Sequence, residues 1–365
     1  MELINATRMA ADCTVGLEPS GRELLVVVIK GTFALPRGNE EVKLHAEQVP
    51  LTIADIFSGN PGTSAPRYES DFAYRKASCD VLLIGSAYAP GGRAVTRARV
   101  GLSVGPMSKS FEAVGNRVWQ AGVTGIRPSS PQPFTRLTIG YDVAFGGTDT
   151  PDEEGLPPSV YLPNPVGRGY FKHLKNAYLD GKPLPNTEQT GVPVNWPAGR
   201  YEPMAFGPIG RGWPQRVAFA GTYDQHWRDE VFPFLPADFD IRYFQFAPAD
   251  QQVPLSRADM TVTLTNLTED GLRRFVLPRF EAPVHVFPVR GEREDHVGTL
   301  DTIVIEPDQE RFTMTWRMTR PLKRSLFEIS QVMVGRKGPV WWREQDGLPF
   351  PVPIRVLPMP AAAQA

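Results

Sequence analysis

Arg311-Phe312-Thr313-Met314-Thr315-Trp316-Arg317-Met318-Thr319 is the stretch that decides the fold class. Its apolar residues occupy every second position, and Arg or Thr fills each gap. A side-chain period of two belongs to a β-strand, whose successive residues point to opposite faces. The same alternation recurs at Ala98, Val100, Leu102 and Val104, with Arg97, Arg99, Gly101 and Ser103 between them. Leu24-Leu25-Val26-Val27-Val28-Ile29 does not alternate and suits a strand buried on both faces, as does Asp80-Val81-Leu82-Leu83-Ile84-Gly85. Met260 to Thr265 and Leu300 to Glu306 are weaker strand signals, and Val284 to Phe287, set between prolines, reads as a short or edge strand. Leu322, Leu326, Ile329 and Met333 have helical spacing, yet Val332-Met333-Val334 also suits a strand. With no convincing helix between the strands, the expectation is an all-β protein of antiparallel, sandwich-like lobes. Its organisation reads as an N-terminal β lobe over 1–140, an ordered irregular segment over 141–255 and a C-terminal β lobe over 256–335 sharing the core. A C-terminal extension, 336–365, ends in a frayed Ala-rich tail.

Composition narrows the function classes. The 365 residues carry 39 basic and 40 acidic side chains, so the basic footprint of a nucleic-acid binder is missing. Hydrophobic residues at 41% argue against wholesale disorder. Two cysteines, Cys13 and Cys79, lie far apart in no C-x-x-C pair, which argues against a disulfide scaffold and a cysteine zinc site. The first residues, Met1-Glu2-Leu3-Ile4-Asn5, lack the apolar core of a secretory signal. No apolar run is long enough to span a bilayer as a helix. The expected location is the cytoplasm.

The segment 141–255 holds 16 of the 37 prolines and 19 of the 37 aromatic residues. Proline removes ladder donors and breaks helix interiors, so long regular elements are not expected there. A disordered linker would be poor in aromatics, so this one is expected to be ordered, its rings packed on the sheets. Long irregular stretches of this kind are commonly functional.

Catalytic motifs are weak. Gly101-Leu102-Ser103-Val104-Gly105 fits the nucleophile elbow of hydrolases, but Ser103 lies inside an alternating strand and Pro106 stands where the helix should begin. His226 with Asp224 or Glu230 could hold a divalent ion only if further ligands joined them. Asp238, Asp240 and Asp250 among aromatic rings suggest a glycan cleft with two carboxylates, although Asp in turns is commonplace. The glycine clusters at 59–64 and 207–212 lack a Walker lysine. Trp341-Trp342-Arg343 reads as packing. No constellation supplies nucleophile, base and orienting group together, so a binding protein without cofactor outranks an enzyme.

Tyr141-Asp142-Val143-Ala144-Phe145-Gly146-Gly147, Asn164-Pro165-Val166-Gly167-Arg168-Gly169-Tyr170 and Leu184-Pro185-Asn186-Thr187-Glu188 follow one another in the middle segment. After them come Phe206 to Ile209, Trp213 to Arg216, Ala220 to Trp227, Leu235 to Asp240 and Phe246 to Gln252. This order resembles a bacterial family of unknown-function domains associated with type VI secretion, over roughly residues 1–335. Its genes lie beside those for VgrG spike proteins, PAAR tip proteins and effectors. The resemblance implies an adaptor or chaperone that binds an effector or its PAAR region and helps load it onto the VgrG spike. A carbohydrate-active or glycan-binding β-sandwich protein is the alternative. The expected partner-binding loop holds Tyr223, Asp224, Trp227, Phe239 and Asp240. Against it stands the simpler view that these residues merely pin the segment to the sheets.

Overall fold

A computed structural model describes residues 1–338, except 124, 152–154 and 256–258, together with residue 341. The extension and its Ala-rich tail therefore lie almost wholly outside the described residues, as do Trp342 and Arg343; the Trp341 ring stands edge-on to Phe287, 6.2 Å away. The chain is all-β. Among the described residues no helical stretch exceeds seven residues.

Two sheets carry the fold. Their strands are β1 (Glu2–Asn5), β2 (Ala10–Leu17), β3 (Glu23–Ala34), β4 (Cys79–Leu83), β5 (Arg97–Val104), β6 (Met107–Val114) and β7 (Thr187–Glu188). The remainder are β8 (Gln252–Val253), β9 (Thr261–Thr265), β10 (Leu272–Val276), β11 (Ala282–Pro288), β12 (Glu294–Glu306), β13 (Arg311–Pro321) and β14 (Ile329–Val334). Nine of them form one sheet in the order β1-β14-β11-β12-β13-β3-β2, with β4 beside β12 and β8 beside β4. Five form the second, β7-β6-β5-β9-β10. Most pairings are antiparallel; β1 with β14 and β4 with β12 run parallel.

The deciding stretch becomes the centre of β13, paired with β12 on one side and with all but the first residue of β3 on the other. Phe312, Met314, Trp316 and Met318 enter the core between the sheets, where they meet Leu25, Val27 and Ile29 of β3 and the apolar face of β5. The opposite face is not wet. Thr313, Thr315 and Arg317 are at most 5% exposed because residues 49–76 and 241–253 lie over them. That second layer explains the unbroken apolar run of β3: Leu24, Val26 and Val28 pack outward onto Tyr74, Leu235, Phe239 and Phe244.

One local expectation is corrected, and one choice the sequence left open is decided. Val284 to Phe287 is not an edge: β11 lies between β12 and β14, and its prolines fall at the second and last residues of the strand. The 322–335 segment is no helix but a short turn, Leu326–Glu328, followed by β14, because Val332 and Val334 fill the main core.

The irregular segment is ordered as short ribbons and turns around two small cores, which it shares with Ala65 and Trp119 respectively. Phe145, fully buried, is met edge-on by Tyr161 at 5.0 Å and Tyr201 at 4.9 Å. Asn164 donates to the carbonyls of Tyr141 and Phe145. Gly146 beside it has φ 148°, and a Cβ there would lie 2.2 Å from the Asn164 carbonyl, so only glycine fits. Buried Glu188 accepts from Arg117 and Arg97, tying β7 to the same knot.

Candidate protein-interaction surface

Residues 219–240 form a loop that stands on the outer face of β3. Its neck is closed by the Asp240 amide donating to the Phe219 carbonyl. Gly221, at φ 84° and with Pro236 and the Phe239 backbone about 3 Å from any Cβ, makes the tight reversal possible. Asp238 accepts from the Thr222 amide and hydroxyl, which holds its carboxyl below the usual carboxylate range. Asp240 accepts from the Arg242 amide and guanidinium; these bonds lower its pKa and cap the turn Ile241–Phe244.

Trp227 is the hub. Its amide donates to Asp224 and its indole Nε1 to the Phe234 carbonyl, 2.9 Å in each case. Tyr223 stacks edge-on against it at 4.7 Å and Phe232 at 5.6 Å. Trp227 is thereby half-buried, and the rings around it face water: Tyr223 is 49% exposed, Phe232 66% and Phe234 43%. The Tyr223 and Phe232 rings are thus held at the surface by Trp227, and Phe234 is tied to it through its backbone carbonyl. Asp224, Asp229, Glu230 and Asp238 of the same loop are also exposed, and Arg228 is the one exposed Lys or Arg between residues 222 and 240.

The five expected residues therefore divide. Tyr223, Asp224 and Trp227 share one side of the loop. Phe239 turns the other way, against Phe244 at 5.5 Å and the outer side chains of β3, and Asp240 serves the turn after it. Phe232 and Phe234 are the members that sequence reading missed. Their only signal is the aromatic–proline–aromatic triplet Phe232-Pro233-Phe234.

The other candidate chemistries are not assembled. His226 Nδ1 lies 3.9 Å from Glu230 Oε2, and both side chains are largely exposed. Among the described residues no group of three or more His, Cys, Asp or Glu is placed to hold a metal ion. Asp250 is bound to Lys109 in a cavity that neither Asp238 nor Asp240 lines, although Arg242, the partner of Asp240, does. Ser103 sits in mid-strand opposite Ser108 and Thr263. Within the 207–212 cluster Gly210 packs against the Trp213 indole, 2.5 Å from where a Cβ would stand.

A second, buried set of charges fastens the covering layer to the sheet. Cross-strand neighbours Lys30, Thr315, Thr302 and Asp80 form one row across β3, β13, β12 and β4. Lys30 binds Asp71 and the Pro50 carbonyl. Asp80 accepts from Lys76, Gln245 and the amides of Phe246 and Ala247, and the Lys76 ammonium sits 3.5 Å from the Phe246 ring centre. Arg317 is paired with Asp301 and donates to the carbonyls of Asp71 and Ala73. Burial pushes Glu69 upward against the pull of Arg216 and Arg211. Burial and a hydrogen bond to Glu306 push the Tyr68 hydroxyl up to about 12.

No helix among the described residues is long and apolar enough to cross a membrane. No curated protein and no solved structure matches the chain. Residues 20–317, from β3 through most of β13 and including the aromatic loop, match the model of a family described as uncharacterized protein conserved in bacteria (DUF2169), and the chain belongs to that family.

Proposed function

We propose that the protein is a non-catalytic adaptor that binds a partner protein through the loop 219–240. The partner is a type VI secretion effector or its PAAR region, held in the cytoplasm and passed to the VgrG spike. One observation carries the binding role: Tyr223 and Phe232 are exposed with their rings already set against Trp227, and Phe234, also exposed, gives the indole its backbone carbonyl. Exposed aromatic anchors are the residue class enriched at interface centres. Fixing them beforehand removes much of the ordering cost of association. The four exposed carboxylates of the same loop favour a partner whose contact face carries Lys or Arg at its rim. The choice of a type VI effector rests on the resemblance of the motif order from Tyr141 to Gln252 to that of domains associated with type VI secretion.

Titration calorimetry of the purified chain with a PAAR-bearing type VI effector from the same genome tests the reading. The expected result is a saturable complex, weakened at least 30-fold by Tyr223→Ala, Phe232→Ala combined, the equivalent of about 2 kcal/mol. A complex of unchanged affinity moves the surface elsewhere, and no complex removes the adaptor role. Turnover of a peptidoglycan fragment that Asp238→Asn abolishes would replace the adaptor with an enzyme.

A further inference from the structure

The nine-stranded sheet ends on one side at β1 and on the other at β2, yet these strands are neighbours in the chain, joined by residues 6–9 alone. Four linking residues reach roughly 15 Å, whereas the path from β1 to β2 would span about 29 Å in a flat sheet. The sheet therefore curls until its ends meet. They meet at the turn, where the Asn5 side-chain amide donates to the Met9 carbonyl at 2.7 Å. Beyond it, among the described residues, no ladder joins β1 to β2. The sheet is a barrel with an open seam.

The core beneath the seam is incompletely closed. Leu3 of β1 and Ala11 and Cys13 of β2 pack on the main core yet are only half-buried. Val15 and Leu17, further along the same edge, are 39% and 36% exposed. The β2 backbone is open as well. The Glu18 amide donates to the Arg22 carbonyl in the β2–β3 turn, so antiparallel alternation assigns the even-numbered residues of β2 to the ladder with β3. The peptide groups of Ala11, Cys13, Val15 and Leu17 point outward. Of these four amides, only that of Cys13 has a partner among the described residues, the Asp12 carboxylate. Edge strands are ordinarily guarded by lysine, proline or a bulge. Ala10–Leu17 contains no Lys, Arg or Pro and pairs with β3 in unbroken register. A second copy of this chain would bring its own β3 and β1 along with β2, and these collide with the first copy's; a lone extended segment brings no neighbours.

We propose that the seam is a strand-acceptor site for one extended segment of a partner protein, uncharged and apolar at alternate positions. The segment pairs with the outer edge of β2 and lays its apolar side chains over Leu3, Ala11 and Cys13. The site shares no residue with the loop 219–240 and does not depend on the adaptor reading.

Cys13 is a built-in reporter, since Cys79 is buried. The full chain is titrated calorimetrically with the peptide Lys-Val-Thr-Val-Thr-Val-Thr-Lys and with the same peptide N-methylated at its six central amides. Maleimide labelling of Cys13 is followed in parallel by mass spectrometry. The plain peptide is expected to bind saturably, one per chain, and to slow Cys13 labelling at least tenfold; the methylated peptide should not bind. Val15→Pro removes an outward N–H that β3 does not use, and should weaken the plain peptide at least tenfold. If that variant does not fold, the two peptides decide alone. Absence of saturable binding, equal binding of the methylated peptide, or Cys13 labelling untouched by bound peptide each overturns the proposal. Labelling of Cys13 in the free chain as slow as that of Cys79 would mean that the chain fills its own seam. A dimer of the parent that Val15→Pro abolishes would give the edge to a second copy. Either result also overturns the partner segment.

Discussion

Trp227 and Phe239 differ in where they face, and that difference sets what each does. Phe239 is the ring that pins the loop to β3 through Phe244 and the outer apolar residues. Trp227 organises the exposed rings without entering either sheet core. Phe239→Ala is therefore expected to lower stability by about 3 kcal/mol, at the low end for aromatic truncation because the ring is only partly buried. Tyr223→Ala and Phe232→Ala should leave the denaturant midpoint almost unchanged. Trp227→Ala should fall between them, since it removes one indole hydrogen bond and two ring contacts on an exposed loop. Chemical denaturation of the four variants checks the ranking, and equal loss from Phe232→Ala and Phe239→Ala would refute the division of roles. Tyr223, Asp224 and Trp227 were legible as a cluster because aromatic and acidic residues crowd one short stretch. Which ring faced out was not legible, since that depends on β3 lying beneath.

At the level of elements, period-two alternation was enough to find β5 and β13, and the unbroken run was enough to mark β3 as covered on both sides. What no window shows is the company each strand keeps. Thr313, Thr315 and Arg317 look like a water-facing row until residues 49–76 are laid over them, and Asp71 and Asp80 lie far along the chain from Arg317 and Thr302. These buried pairs carry an expectation. Lys76 and Asp80 are completely enclosed, so Asp80→Ala would strand a buried ammonium and is expected to cost about 3–5 kcal/mol in urea unfolding. A milder loss in the double variant Lys76→Met, Asp80→Leu would identify the stranded charge as the cause. A more exposed clamp sets an acid limit. Arg320 on β13 donates to Glu294 on β12 and Glu328 in the turn before β14, and these bonds lower Glu294 from 4.5 to about 2. A depressed carboxyl stabilises the fold above its unfolded value, and that contribution is lost as pH falls from about 4.5 toward 2. Urea midpoints at pH 5.5 and 2.5 should accordingly differ less in Glu294→Gln than in the parent; an identical pH dependence would refute the clamp.

For the whole molecule, the pairing pattern joins the two ends of the chain. The strands before residue 140 pair only in part with one another, β2 with β3 and β5 with β6: the other edge of β3 binds β13, that of β5 binds β9, and β4 binds β12. A fragment ending at residue 140 would leave three apolar strands with open edges. Such a fragment is expected to show no cooperative unfolding transition by circular dichroism, and to recover one only when the remainder of the chain is supplied. A sharp transition in the isolated fragment would show that its strands find partners among themselves. The same pattern has a consequence during synthesis. Leu24 of β3 is matched with Pro321, and Ala34 with Arg311. Ribosomes add about 5–20 residues per second, so the most apolar strand of the protein waits roughly 15–60 seconds after emerging before its mate is made. Until then Leu24 to Ile29 is the kind of bare, uncharged β segment that nascent-chain chaperones hold, and cellular yield should follow their supply more closely than the stability of the finished fold.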